Sequence, residues 1–152
     1  MNTGNLSTKR LAQRLADLTS ELLENCQLKI ERTAERLNLT VAEFRLLQSM
    51  RNNKVLPAGE LAKRIGVSSS RLTRILDGLV AKGFVCREVG KKDRRVVDVM
   101  LTAGGEKVQA ELKTIYLQSH QEIVDLLPPE AEESVIFAIE KLGDAMKEWI
   151  KQ

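Results

Sequence analysis

The 152 residues carry 24 Lys or Arg against 21 Asp or Glu, a formal net charge of +3, with 43% hydrophobic and 30% charged residues. That composition suits a folded, largely helical chain rather than a disordered one, and a single domain that can withdraw about 70% of its unfolded surface from water. No apolar run of about 20 residues exists to span a membrane, and Met1-Asn2-Thr3-Gly4-Asn5 lacks both a hydrophobic signal core and the myristoylation pattern, so a cytoplasmic location without membrane contact is expected.

The first predicted helix runs from about Ser7, a plausible N-cap, to Asn38. Its apolar stripe is Leu11, Leu15, Leu18, Leu22, Cys26, Ile30 and Leu37, at steps of three and four. Cys26 lies on that stripe and is expected to be a small buried apolar residue. The second helix starts at Thr40-Val41-Ala42-Glu43, a capping box, presents Phe44, Leu47 and Met50 on one face, and is expected to end at Asn52-Asn53. Pro57 suits the start of a short third helix, about Ala58 to Ile65, with Leu61, Ala62 and Ile65 inward. Gly66 makes a tight turn into a fourth helix, about Ser69 to Lys82, with Leu72, Ile75, Leu76 and Leu79 buried and Gly83 as C-cap. On a 100° wheel Ser70, Arg74 and Asp77 point the opposite way, flanked by Arg71 and Thr73.

Two β-branched strands follow, about Val85 to Val89 and Val96 to Leu101, joined by the turn Gly90-Lys91-Lys92-Asp93-Arg94-Arg95. Thr102 caps a long helix, about Ala103 to Leu127, with Val108, Leu112, Ile115, Ser119 and Ile123 on one stripe. Pro128-Pro129 breaks the chain before a last helix, about Pro129 to Lys151, striped by Val135, Ile139, Leu142, Met146 and Trp149 or Ile150. The terminal helices carry more apolar stripe than one small core can cover, so they are read as a dimer interface.

Helix, Gly turn, helix and charged hairpin are the parts of a helix-turn-helix with a wing, whose second helix can lie in the major groove of DNA. The charge is placed accordingly. Residues 51–100 hold 12 Lys or Arg against 5 Asp or Glu, a net +7, and the rest of the chain holds 12 against 16, a net −4. A basic patch confined to one unit is the electrostatic footprint of nucleic-acid binding. An enzyme is not expected, because no nucleophile–base pair, Gly-rich phosphate loop or metal-ligand cluster is present. No cofactor is expected. With one histidine, His120, and two distant cysteines, Cys26 and Cys86, no zinc-ligand spacing exists and free thiols are the default.

Gly83-Phe84-Val85, Arg87, Asp93-Arg94-Arg95, the strand to Met100 and Leu101-Thr102-Ala103-Gly104-Gly105 follow one another in the order and spacing of the MarR family of winged-helix transcriptional regulators, which this chain resembles over nearly its whole length. Leu39-Thr40-Val41-Ala42-Glu43-Phe44 resembles the start of that family's second helix, and Leu61-Ala62 through Ile65-Gly66-Val67-Ser68 its helix-turn-helix. The implied fold is mainly α with a small β-hairpin wing: a winged helix-turn-helix with long N- and C-terminal dimerisation helices. Residues 1–38 would be the N-terminal part of the dimerisation region, 39–102 the DNA-binding region and 103–152 the C-terminal dimerisation helices, in one compact domain overall. The resemblance implies a homodimeric repressor on a pseudo-palindromic operator in double-stranded DNA. It places two recognition helices in successive major grooves and wings in the flanking minor grooves. Many members respond to small phenolic or other lipophilic ligands, and some to peroxide.

Arg95 matches the family's wing arginine, whose guanidinium suits a narrow minor groove. Asp93 matches the acid that orients it, or else forms an ordinary Asx-turn. Arg94, Lys91 and Lys92 are assigned to phosphates. Arg71 and Arg74 are the choices for base edges, with phosphate contact the alternative for either. Ser69, Ser70 and Thr73 stand near the helix N-terminus, where backbone N–H groups favour a phosphate, and Arg87 is a phosphate contact or a brace within the wing. Phe44, Arg45 and Tyr116 are the candidates for an effector cleft, or else core packing, and His120 is read as an ordinary helical histidine. Peroxide-sensing members carry their thiol near a position matching about Ala16, which Cys26 does not occupy, and Cys86 in the first wing strand is a weak candidate for reactivity.

Overall fold

The structure is a computed structural model that describes residues 3–50, 54–90, 93 and 95–152. Its elements, in chain order, are α1 (Thr3–Arg36), α2 (Val41–Ser49), β1 (Val55–Pro57), α3 (Ala58–Ile65), α4 (Ser69–Ala81), β2 (Val85–Val89), β3 (Val97–Leu101), α5 (Ala103–Asp125), a 3-10 turn (Pro129–Ala131) and α6 (Glu132–Ile150). The chain divides into two compact units, Met1–Leu112 and Lys113–Gln152, with the boundary inside α5. The expected end of the second helix at Asn52-Asn53 falls outside the described residues, and α2 closes at Ser49.

α1 stops at Arg36, two residues before the expected Asn38, because Asn38 takes a left-handed conformation (φ 53°) that turns the chain into α2. The capping box then forms in full: Thr40 N donates to Glu43 Oε2 (2.7 Å) and Glu43 N to Thr40 Oγ1 (3.2 Å). Gly66 (φ 68°) and Gly83 (φ 74°) end α3 and α4 with the same device. In each case the following N–H reaches back five residues, Val67 to the Ala62 carbonyl (3.0 Å) and Phe84 to the Leu79 carbonyl (2.9 Å).

The sheet has three strands rather than the expected two. The order is β1-β3-β2, antiparallel throughout, with Leu56 opposite Val99 and Arg87 opposite Val99 on the other side. β1 escapes sequence reading because three residues ending in Pro are too short to show an alternation. The core of the first unit is Phe44, Leu46, Leu47, Met50, Leu61, Leu72, Leu76, Leu79, Val85 and Val99, all buried, so the inward faces of α2, α3 and α4 agree with the helical wheel.

α1 differs. Among its described side chains burial is confined to the C-terminal end, at Thr33 and Ala34 and on into Leu37 just beyond it, while Leu11, Leu15, Leu18 and Leu22 are exposed, Leu15 at 47%. Cys26, expected to be buried, is exposed as well. The reason is geometric: a helix of 34 residues is about 50 Å long, so most of it projects beyond the compact winged region that covers its end. In α6, Ile136, Phe137, Ile139, Met146, Trp149 and Ile150 are likewise exposed, Trp149 at 74%. Among the described residues no helix is long and apolar enough to cross a membrane.

Candidate nucleic-acid interface

α4 is built to show one face. Ser68, in extended conformation, accepts a hydrogen bond from Arg71 N (3.3 Å) and starts the helix. Leu72, Ile75, Leu76 and Leu79 fix it on the core, which leaves Ser69, Ser70, Arg71, Thr73, Arg74 and Asp77 exposed. Ser70 Oγ lies 3.2 Å from Ser68 Oγ, and Thr73 Oγ1 donates to the Ser69 carbonyl (3.0 Å). Both hydroxyls keep acceptor capacity. Among the described residues neither Arg71 nor Arg74 forms an ion pair. With Ser70, Thr40, Glu43 and Ile75 they line a shallow open groove beside the helix.

The wing is the β2–β3 hairpin. Gly90 N donates to the Val96 carbonyl (2.8 Å) and Val96 N to the Asp93 carbonyl (3.0 Å), which closes its tip. Lys91, Lys92 and Arg94 lie outside the described residues. Asp93 and Arg95 are exposed, and Arg95 N donates to Asp93 Oδ1 (2.9 Å). This hydrogen bond is that of an Asx-turn. It constrains Arg95 through its backbone.

Arg87 pairs with Asp77 of α4, an ion pair that links the first strand of the wing to the exposed face of the helix. The Gly-Phe and Leu-Thr-x-x-Gly motifs meet at a second clasp. Thr102 Oγ1 donates to the Gly83 carbonyl (2.5 Å) and accepts from Gly105 N (3.0 Å), while Thr102 N donates to the Phe84 carbonyl (3.1 Å). One threonine thus joins the end of α4, the start of β2 and the start of α5.

Sequence reasoning missed two parts of this surface. The cap is Ser68, not one of the three serine or threonine sites assigned to phosphate, although Ser three residues before a helical N–H is a legible signal. The helical wheel places Asp77 outward but gives it no partner, because its distance from Arg87 depends on how the hairpin folds back. Of the effector candidates, Phe44 and Arg45 belong to the first unit and Tyr116 to the second. Phe44 is 1% exposed, and its ring is part of the buried core. Arg45 is exposed and donates to Gln27 Oε1 (2.8 Å). Tyr116 belongs to the second unit, where its ring lies 4.3 Å from that of His120 between centroids and its carbonyl 2.7 Å from His120 Nδ1.

The sequence profile of the MarR family matches residues 39–97, from the α1–α2 turn through the wing tip. The chain is 34% identical over 107 residues to the multiple antibiotic resistance protein MarR of Escherichia coli (strain K12), an alignment that takes in 70% of this chain and 74% of that protein. The chain belongs to the MarR family. Its members are DNA-binding transcriptional regulators and not enzymes. A second relative is the HTH-type transcriptional repressor MdtR of Bacillus subtilis (strain 168), 32% identical over 85 residues, 56% of this chain and 55% of the relative. The crystal structure of apo wild-type MarR from E. coli superposes with a TM-score of 0.75 at 29% identity, covering 84% of this chain and 95% of that one.

Proposed function

We propose that the chain is a cytoplasmic repressor that binds a pseudo-palindromic operator in double-stranded DNA as a homodimer. The observation that carries this reading is the α4 face: Arg71 and Arg74, one turn apart, stand exposed and outside any ion pair among the described residues, on a helix seated on the core by four buried aliphatic side chains. Arginine bidentate to guanine is the commonest specific major-groove contact. Ser69, Ser70, Thr73 and the tip residues Lys91, Lys92 and Arg94 serve phosphates, Arg95 enters the minor groove, and Asp93 and Arg87 hold the wing in place for it.

The homodimer is supported by the uncovered stripes. Exposed Leu11 to Leu22 and exposed Ile139 to Ile150 are too long and too apolar for solvent. Residues 1–38 and 103–152 would supply the dimer contacts and 39–102 the DNA contacts. Repression is supported by the relative named a transcriptional repressor. Release by a small lipophilic or aromatic ligand completes the reading. Two recognition helices must sit about 34–36 Å apart to meet successive major grooves, and a ligand that prefers another spacing weakens binding without touching DNA.

Enrichment of duplexes from a random-sequence library tests the core of this proposal, with light scattering on the same sample. A palindromic consensus and a mass of two chains are expected. A 17.0 kDa species, or no enriched sequence, would refute it. Titration with small aromatic carboxylates while operator binding is followed tests the ligand arm. It fails if compounds that bind the protein leave its hold on DNA unchanged.

A further inference from the structure

Glu43 is a carboxylate in an unexpected place. It is 4% exposed, yet a capping-box glutamate works equally well on an open surface. Its Oε2 takes two donors, Thr40 N at 2.7 Å and Lys82 Nζ at 2.7 Å. Lys82 Nζ also donates to the Asn38 carbonyl (2.8 Å). Its Oε1 lies against Gly78, so close that a Cβ there would collide with it. One side chain therefore joins the α1–α2 turn, the start of α2 and the C-terminal half of α4.

Burying an ion pair is costly, and apolar residues of similar volume often do as well or better for stability. What charge adds here is direction. The contacts of Leu72, Ile75, Leu76 and Leu79 hold α4 to the core but tolerate small rotations and slides. Hydrogen bonds to Oε2 fix a distance and an angle, and Gly78 lets the helix come against Oε1 directly. Glu43 also lines the same groove as Ser70, Arg71 and Arg74, so a shift of its carboxylate is passed straight to the proposed reading face.

We propose that Glu43, with Lys82 and Gly78, is a positioning residue for DNA recognition: it sets the rotation and height of α4, and so where Arg71 and Arg74 meet the bases. This rests on the sequence-specific reading above. The test uses the full chain, a duplex enriched from a random library by the wild-type protein, and a scrambled duplex of equal length. Binding is measured at a temperature where circular dichroism shows every variant folded.

Gly78→Ala is expected to lose about tenfold on the enriched duplex, the equivalent of one mismatched base pair, with scrambled DNA bound as before. Glu43→Asp in the Gly78→Ala background withdraws the carboxylate by one methylene and is expected to recover part of the loss. If Gly78→Ala does not fold, Lys82→Met, which keeps the stem and removes the ion pair, is expected to narrow the ratio between the two duplexes by about threefold or more. Equal losses on both duplexes, or an unchanged ratio in the variants that fold, overturn the positioning role. A wild-type protein that enriches no sequence would instead remove the DNA reading on which it stands.

Discussion

Replacing Asp77 by Asn separates two roles that Arg87 can play. Arg87 and Asp77 form an ion pair whose side chains are 30% and 63% exposed. At that exposure solvent screens the pair, and its coupling belongs in the range of about 0.3–1 kcal/mol. Stability should therefore fall by at most about 1 kcal/mol, a drop of about 2–4 °C in Tm for a chain of this length. The effect on DNA is the informative part, because its sign differs between the two roles. If Arg87 braces the wing, Asp77→Asn and Arg87→Gln each loosen the hairpin. Both then weaken operator binding by about two- to fivefold, and the double variant is no worse than either alone. If Arg87 instead serves a phosphate, Arg87→Gln alone weakens binding and flattens the salt dependence by about one charge. Asp77→Asn would then leave affinity unchanged or raise it, since it removes a negative charge beside the DNA. Fluorescence anisotropy on an enriched duplex at several salt concentrations distinguishes these outcomes. Tighter binding by Asp77→Asn, or strictly additive losses in the double variant, would refute the brace.

Arg74→Ala should lose about 1–3 kcal/mol on the enriched duplex and little on scrambled DNA; an equal loss on both, in the same anisotropy assay, would reassign Arg74 to phosphate contact. Arg95→Ala should weaken binding most on duplexes whose flanks are A·T-rich, where the minor groove is narrow, and indifference to the flanks would count against a minor-groove role. Leu79→Ala removes a side chain with no exposed surface from the seat of α4 and should cost about 2–5 kcal/mol in urea unfolding; a loss below 1 kcal/mol would show that the core is not organised around that helix.

Much of this architecture follows from short-range chemistry. Thr40 and Glu43 are three residues apart, so their capping box forms wherever the segment is helical. Gly66 and Gly83 end α3 and α4 because the left-handed turn is open to glycine. The wheel of α4 separates Leu72, Ile75, Leu76 and Leu79 from Arg71 and Arg74 because helical periodicity is local. These features, and the motif spacing that ties the chain to the MarR family, can be read without coordinates. Contacts between residues remote in sequence cannot. The strand β1 exists only because β3 offers Val55, Leu56 and Pro57 an edge to pair with. Cys26 and Leu22 share a stripe that predicts burial, and only the path of α1 beyond the winged region shows them exposed. Arg87 meets Asp77, and Lys82 meets Glu43, because Gly83 turns β2 back beside α4 and Asn38 turns α2 across it. The sequence determined which surfaces each helix would offer. Tertiary structure decided which of them meet, because a side chain's partner depends on how whole elements cross, and no local period encodes that.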